Sequence, residues 1–538
     1  MIYIKKVHIE GFKKFRKIDI EFNSNKNLLV GDNGSGKTTV LEAIDLALNH
    51  SVKGFDLSLL QLLFNIDDKN DFENNPSAST LPKIIIDVFF GCTNNELINP
   101  NYEPFYGLNY GDCRGNEDYG VEFSAEFDKT VEIELIEQIK NKNIPFEFYT
   151  LSSKTFGNTP YRPGLSKISF YFINSTNSMF PNLNSYSKMM FKSLDNNVQV
   201  NMKNSFSIGL KKAILDTMVL LPSESPKFSN NINKTSLENI LEIYENDLPV
   251  SMLGQGNESI IKTRSMIKNH SKCTILGIEE PENHLSYSSM NEMISLIQQE
   301  NDKQLIITSH SNRIASNFGL NNVIGLSKNT NNIITLKDLE QETYEYFEAL
   351  PSDSMLQFIL SKKVILVEGP AELAYMNLFY RKLFNCDMEK NGIACISVNG
   401  LAFKHYIQIA KIMDIRLCVI TDNDNDLTHV KNYAKEMKEI YNSSQFALFT
   451  DPDENRRTFE ICLYQDNIDL IKKALILKKG ASYDHKYANG DKYLGKMLND
   501  KTGTAIDIIK YIDDKDNPAI DELIVPNYII EALNFINE

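Results

Sequence analysis

The tightest constraint on this chain lies within its first fifty residues. An apolar strand-like run, Asn27–Val30, leads into Gly31-Asp32-Asn33-Gly34-Ser35-Gly36-Lys37-Thr38, and a helix-like run follows from Lys37 to about Asn49. Strand, glycine-rich turn and helix in that order, with the spacing G-x-x-x-x-G-K-[ST], make a phosphate cradle. Gly31, Asn33, Gly34 and Gly36 let backbone N–H groups curl round phosphate oxygens at a helix N-terminus, where the helix dipole favours anions. Lys37 reaches the β- and γ-phosphates, the Thr38 hydroxyl takes Mg²⁺, and Thr39 completes the first turn. A bound ATP with one Mg²⁺ is the expectation.

A second segment far downstream supplies what such a cradle needs. The apolar run Thr274–Ile278 ends in Glu279-Glu280-Pro281-Glu282. Acids at a strand end can hold Mg²⁺ and polarise a water, with Glu280 as the candidate general base. Another apolar strand, Leu305–Thr308, then places His310 within reach of a γ-phosphate. These elements resemble the ATPase heads of the ABC class, in the branch shared by SMC-like and RecF-like proteins, over about residues 1–340 with a long insertion. Glu279 stands where that class usually has Asp; it is one methylene longer and still able to ligate. The resemblance implies head-to-head pairing, in which a signature loop from a second copy completes the site. Leu253-Gly254-Gln255-Gly256-Asn257-Glu258 is the nearest match. Gly254 occupies the usual serine position, with Gly256 two residues on, so a hydroxyl for the γ-phosphate is missing and slow hydrolysis is expected. No stretch matches a Q-loop well; Gln61 is the nearest candidate.

A second alternation of strands and helices begins near residue 360 and indicates a parallel sheet of βαβ units. Lys363–Val367 ends in Glu368-Gly369-Pro370-Ala371-Glu372, and Leu417–Thr421 ends in Asp422-Asn423-Asp424-Asn425-Asp426. Parallel strands present their C-terminal ends at one edge, so Glu368 and Asp422 lie side by side, with Asp424 beyond and Glu372 on the next helical turn. Carboxylates this close repel unless cations neutralise them, and oxygen ligands suit Mg²⁺ or Mn²⁺. Two such ions, held by Glu368, Glu372, Asp422, Asp424 and Asp426, can clamp an in-line phosphoryl displacement. Asp422–Asp426 also resembles the start of a calcium loop, but the glycine and terminal glutamate of that loop are missing.

This half resembles the Toprim domain, over about residues 360–470, through Val367–Glu372, Val398–Gly400 and Asp422–Asp424. An ABC-type ATPase followed by Toprim is similar to the OLD (overcoming lysogenisation defect) family of nucleases, which includes Gabija A subunits and retron-associated effectors of bacterial antiviral defence. That resemblance implies a further acid, matched by Glu460 in Thr458-Phe459-Glu460, and a late lysine. Lys501 in Asn499-Asp500-Lys501-Thr502-Gly503 is the first choice, with Lys486 and Lys492 as rivals.

The expected fold is therefore α/β: an ABC-type ATPase head over 1–350, with a helical insertion at about 175–250 carrying dimer contacts, then a Toprim domain with a parallel sheet and a helical extension over 351–538. The expected activity is ATP-regulated, metal-dependent endonucleolysis in antiphage defence. The expected partners are nucleic acid (DNA ahead of RNA), a second copy of the chain, and a companion defence protein or retron nucleic acid. A topoisomerase- or primase-like enzyme is the alternative, but no nucleophilic tyrosine stands out among Tyr483, Tyr487 and Tyr493. The other alternative is an ATP-gated nucleic-acid clamp without cleavage.

Composition fits this reading and limits it. A length of 538 residues suggests about three domains. No apolar run approaches the ~18 residues of a membrane span, and the first ten residues lack the apolar stretch of a signal peptide, so no membrane association is expected. Seven scattered cysteines without a C-x-x-C pair argue against a zinc module or disulfide framework and for the reducing cytoplasm. The net charge of −15 excludes coating nucleic acid by bulk positive charge. It leaves a local basic groove open, since the first 26 residues carry seven Lys/Arg against three acids.

Overall fold

The computed structural model describes residues 1–52, 55–94, 96–108, 117–128, 130, 143–163, 168–173, 190–191, 194–218, 237, 241–268, 274–326, 333–336, 339–349, 354–398, 402–441, 444–478, 482–514 and 519–538. They form two compact units, Met1–Ile333 and Ile334–Glu538. The strands up to the boundary are β1 (Ile2–Phe12), β2 (Phe15–Glu21), β3 (Lys26–Gly31), β4 (Ile84–Cys92), β5 (Tyr106–Leu108), β6 (Glu117–Phe127) and β7 (Tyr149–Thr155). They continue as β8 (Phe170–Ile173), β9 (Tyr244–Glu245), β10 (Leu248–Pro249), β11 (Ile275–Glu279), β12 (Gln304–Thr308), β13 (Val323–Leu326) and β14 (Ile333–Thr335).

Among the described residues these strands make an antiparallel sheet in the order β2-β1-β4-β6-β5, with β7 also on β6, and a sheet in the order β14-β13-β3-β12-β11-β8. In the second sheet, the pairs from β13 through β8 are parallel. The helix Lys37–Asn49 packs against strands of both sheets. Its sequence allows this because Val40, Leu41, Ala43, Ile44, Ala47 and Leu48 cover most of its circumference and are all buried. The one buried acid on that helix, Asp45, meets His50 Nε2 at 2.9 Å. A side chain ties β1 to β12 across the two sheets: Gln304 Oε1 accepts from the Ile4 N–H at 2.8 Å, and its Nε2 donates to the Ile4 carbonyl at 2.8 Å.

His8 on β1 faces Asp19 on β2 and Asp87 on β4 in the strand register. Its Nδ1 lies 3.0 Å from Asp19, and its Nε2 lies 3.7 Å from Glu10. Burial works against the charged imidazole, but the hydrogen bonds to Asp19 and Glu10 outweigh it and raise its pKa to about 9. A folded-state pKa above the unfolded value contributes stability that is complete below about pH 6.5 and lost as pH rises through about 9. The melting temperature of the first unit should accordingly fall across that window. His8→Gln should flatten the fall, as read by thermal scans between pH 6 and 10.

The second unit contains β15 (Lys363–Val367), β16 (Ile393–Ser397), β17 (Arg416–Ile420) and β18 (Phe446–Phe449), all parallel in the order β16-β15-β17-β18. Helices Pro370–Phe384, Phe403–Met413 and Leu427–Ile440 connect them. The helix Asn527–Asn537 packs on β17 and β18, and Lys501–Ile512 packs on Pro370–Phe384. These late helices share one apolar core with the sheet, through Ile508, Ile512, Ile529, Leu533 and Ile536.

Several details differ from the expectations. The composition of the polar stretch Asp67–Thr80 reads as a loop, yet the stretch begins inside the helix Ile66–Asn74. The Asn65 side chain accepts from the Asp67 and Asp68 N–H groups, and Phe72 anchors the helix in the core, which offsets a sequence poor in helix formers. The helix Gln341–Ala349, left with the ATPase by a boundary at residue 350, packs on Phe403–Met413 and lies in the second unit. Of the insertion at about 175–250, the main described element is the helix Asn196–Met218, and the β9–β10 hairpin adds a short strand pair. Much of the rest lies outside the described residues. Among the described residues no helix is long and apolar enough to cross a membrane, and the described cysteines are free thiols.

Candidate functional site

The parallel sheet of the first unit gathers its motifs at one edge. Strand β3 ends at Gly31 and β11 at Glu279, while β12, which lies between them, ends at Thr308. Gly34 and Gly36 hold φ of 76° and 102°, left-handed values that a side chain would oppose. The Lys37 ammonium is buried and donates to the Gly31 carbonyl at 2.9 Å and the Asp32 carbonyl at 3.2 Å. Burial lowers its pKa, and the nearby Glu280 and Asp32 partly oppose the shift. Thr38 Oγ1 donates to Glu279, so the extra methylene of Glu279 lets its carboxylate reach the hydroxyl directly. Burial raises the Glu279 pKa. Its Oε2 and the Ser35 hydroxyl are buried without hydrogen-bond partners.

Glu280 and His310 meet, with His310 Nε2 3.3 Å from Glu280 Oε1. Glu280 sits at φ 39°, and its N–H is held by the Thr308 carbonyl and hydroxyl at 3.0 and 3.1 Å. Sequence reasoning missed Glu282 and Ser309: Glu282 Oε1 accepts from the Ser309 hydroxyl at 2.7 Å and the His310 N–H at 2.6 Å, which fixes the imidazole's backbone. Gly254 is exposed just before the helix Gln255–Lys268, and Gly256 is buried where a Cβ would strike the His284 carbonyl. Gln61 is exposed on the short helix Leu60–Leu63.

The second unit gathers carboxylates in the same way. Leu366 and Val419 are paired on β15 and β17, so the two chains leave the sheet side by side. Glu368 Oε1 accepts from the Asp422 N–H at 2.8 Å and from the Thr421 hydroxyl. Asp422 Oδ1 accepts from the Phe459 N–H at 2.8 Å, which brings the helix Phe459–Asp466, and with it Glu460, to the site. Burial raises the Asp422 pKa well above the usual carboxylate range, reinforced by Glu368, Glu460 and Glu372. Burial also raises that of Glu372, in the first turn of Pro370–Phe384.

Lys501 joins these acids. Its Nζ lies 3.0 Å from Glu460 Oε2, while Glu460 Oε1 is buried with no hydrogen-bond partner. A cation in the first turn of a helix opposes the dipole, so Lys501 at the start of Lys501–Ile512 is held there by its acids. Burial works to lower its pKa, but Glu460, Asp422 and Glu372 outweigh that and raise it. The rivals Lys486 and Lys492 are exposed. Asp424 is exposed at φ 47°, and Asp426 caps Leu427–Ile440 by accepting from the His429 N–H at 2.9 Å. Of Val398–Gly400, only Val398 lies among the described residues. Among the described residues no three acid, histidine or cysteine side chains are already drawn in as a metal cage.

Sequence comparisons find one domain match within each of the two units. Residues 359–424 match the family described as "Overcoming lysogenization defect protein-like, TOPRIM domain", and residues 2–211 match an AAA ATPase domain. The chain thus resembles OLD-type ATPase–Toprim proteins. It is 28% identical over 165 residues to the Old nuclease of Escherichia phage P2, a stretch covering 28% of each chain. The match to Endonuclease GajA of Bacillus cereus (strain HuB5-5) is 22% identical and covers 79% of this chain and 77% of that one. The C-terminal region of the Burkholderia pseudomallei OLD protein aligns at 20% identity over 33% of this chain and 97% of that one, with a TM-score of 0.26, too low to carry weight. Several relatives, the Old nuclease first, are thus matched over much less than two thirds of their length.

Two further residues of this OLD-like chain were not legible in its sequence. The Asn423 amide is buried and donates to the carbonyls of Asp451 at 3.0 Å and Asp453 at 2.9 Å, which ties the Asp422–Asp424 loop to the turn after β18. Arg456 anchors that turn, with Nε 2.9 Å from Asp451 and both terminal nitrogens 2.7 Å from Asp466. Arg456→Ala leaves two acids without their cation, and a part-buried pair broken on one side costs about 3 kcal/mol. A lower urea midpoint for the second unit, together with slower cleavage, is the expected result. An unchanged midpoint would contradict it.

Proposed function

We propose that this chain is a divalent-metal-dependent endonuclease that hydrolyses phosphodiesters in nucleic acid, DNA ahead of RNA, under the control of nucleotide bound at its ATPase domain. The observation that carries this reading is the meeting of Glu368, Glu372, Asp422 and Glu460 with Lys501 at the edge of the parallel sheet. The names of its relatives, a nuclease and an endonuclease, support it.

The donor set fits hard divalent ions. It is all carboxylate oxygen, it is held in low-dielectric surroundings that penalise unpaired charge, and one oxygen, Glu460 Oε1, has no partner. Glu368, Glu372, Asp422 and Asp424 would hold two Mg²⁺ or Mn²⁺ ions, with Asp426 at the rim. When bound, such ions supply charge stabilisation to the attacking and departing oxygens of an in-line displacement. Lys501 keeps its proton against burial and offsets charge on the phosphoryl oxygens. Phe459 and Thr421 orient Asp422 and Glu368 through their hydrogen bonds.

At the other unit, Gly31, Asn33, Gly34, Gly36 and Lys37 would cradle the phosphates of ATP, and Thr38 with Glu279 would hold one Mg²⁺. The unpartnered Ser35 hydroxyl and Glu279 Oε2 fit a site that awaits polar partners. Glu280 and His310 would meet water and γ-phosphate. Gly254 and Gly256 would come from a second copy, and the missing serine hydroxyl at Gly254 favours bound over rapidly hydrolysed ATP. A homodimer acting in the cytoplasm as an antiphage effector, with a companion defence protein or retron nucleic acid, completes the proposal. Incubating the chain with supercoiled plasmid and with structured RNA, with Mg²⁺ or Mn²⁺ and with or without ATP, tests it. Intact substrates under every condition would overturn it.

A further inference from the structure

Beside the carboxylate site, two cations share one aromatic ring. The Arg457 guanidinium carbon lies 4.3 Å from the centroid of the Tyr487 ring, and Lys486 Nζ lies 4.4 Å from it. Among the described residues neither cation has a carboxylate oxygen within ion-pair distance. The contrast with the adjacent residue is direct: Arg456 is fully engaged by Asp451 and Asp466. Arg457 and Lys486 instead hold two like charges near each other, with the ring and hydroxyl of Tyr487 to offset them. Such an arrangement is destabilising on its own and becomes favourable when an anion joins it.

The patch is fastened to the acids. The Arg457 carbonyl accepts from the Asp424 N–H at 3.1 Å, and two residues on, the Phe459 N–H donates to Asp422. The other side is also ordered. The Tyr487 N–H donates to His485 Nδ1 at 3.3 Å, and the turn after it closes where the Tyr464 hydroxyl donates to Asp491 at 2.6 Å. The cations lower the Tyr487 pKa, Lys486 foremost, in keeping with a local positive potential. In a chain of net charge −15, a polyanion gains little from the bulk surface and needs such local ground.

We infer that Arg457 and Lys486, spaced by the Tyr487 ring, form a backbone clamp that grips phosphodiesters of the nucleic-acid strand flanking the one at the carboxylate site. This rests on the nucleic-acid reading above and adds to it the residues that fix the strand's register. Phosphate contacts position a nucleic acid without reading its sequence, so the clamp carries no sequence preference.

The test is binding, separated from cleavage. A fluorescein-labelled 30-base-pair DNA duplex is titrated by anisotropy with the full chain in Ca²⁺, over a series of NaCl concentrations. The double variant Arg457→Gln/Lys486→Gln should bind at least about tenfold more weakly at moderate salt, and its salt slope should fall by about 2, one for each lost phosphate contact. Lys486→Gln alone, at an exposed position, should lose about half of that slope, which keeps the test available if the double variant does not fold. Equal affinity and equal slope for a folded double variant would overturn the clamp while leaving the nuclease reading intact. Failure of the unmodified chain to bind the duplex or its single strands would overturn both.

Discussion

Asp422→Asn should lower metal-dependent plasmid cleavage by about 10³-fold, the scale of losing one preorganised charge at a reacting centre. The same substitution should leave the chain as stable as before, or more so, when chelator is present. Burial beside Glu368, Glu460 and Glu372 makes the charged Asp422 carboxylate unfavourable without cations. The amide oxygen of Asn can still accept from the Phe459 N–H, so the loop keeps its anchor. Activity and melting temperature should therefore move in opposite directions. Adding Glu368→Gln should cost little further activity, because groups that act as a unit are not additive. ATP affinity should not change in either variant. A folded Asp422→Asn chain that cleaves at the original rate would remove the carboxylates from the mechanism.

Lys37→Ala should weaken ATP binding by about 10²-fold, since charge-assisted contacts to phosphate are worth about 3 kcal/mol. The lysine is already aimed: its ammonium lies among the loop carbonyls of Gly31 and Asp32, and binding exchanges those acceptors for phosphate oxygens. Fluorescent-nucleotide titration measures the loss, and an unchanged affinity would place the nucleotide elsewhere. Cleavage by the same variant, with and without ATP, then reports whether nucleotide restrains or promotes the nuclease.

How much of this was readable in the sequence follows from the range of each interaction. A strand, a turn rich in glycine and a helix lie next to each other in the chain, so the phosphate cradle declares itself locally. The acids at Glu279, Glu368 and Asp422 were equally plain, because apolar runs ending in carboxylates mark one edge of a parallel sheet. Lys501 could be named only through family resemblance. Its ion pair with Glu460 crosses from one late helix to another and has no local signature. Asn423, Arg456, Glu282 and Gln304 were not legible, since each works by reaching a carbonyl, N–H or carboxylate distant in sequence or hidden by a turn. The polar run after Asn65 was taken for a loop because capping and one buried phenylalanine can support a helix that composition disfavours. Asp426 shows the reverse: a carboxylate in an acidic string also serves as an ordinary helix cap.

The helix Asn527–Asn537 bears on when, during synthesis, the carboxylate edge can be completed. Lys363 on β15 donates to the Asn537 carbonyl at 3.1 Å, and Arg416 on β17 donates to the Phe535 carbonyl at 2.9 Å. The two strands that carry Glu368 and Asp422 are thus braced by residues made long after them, and Lys501 also arrives late. A chain still on the ribosome, or one cut short after the first unit, holds the Gly31–Thr38 loop but not the finished carboxylate edge. Vectorial synthesis therefore completes the carboxylate edge only after the whole first unit has been made.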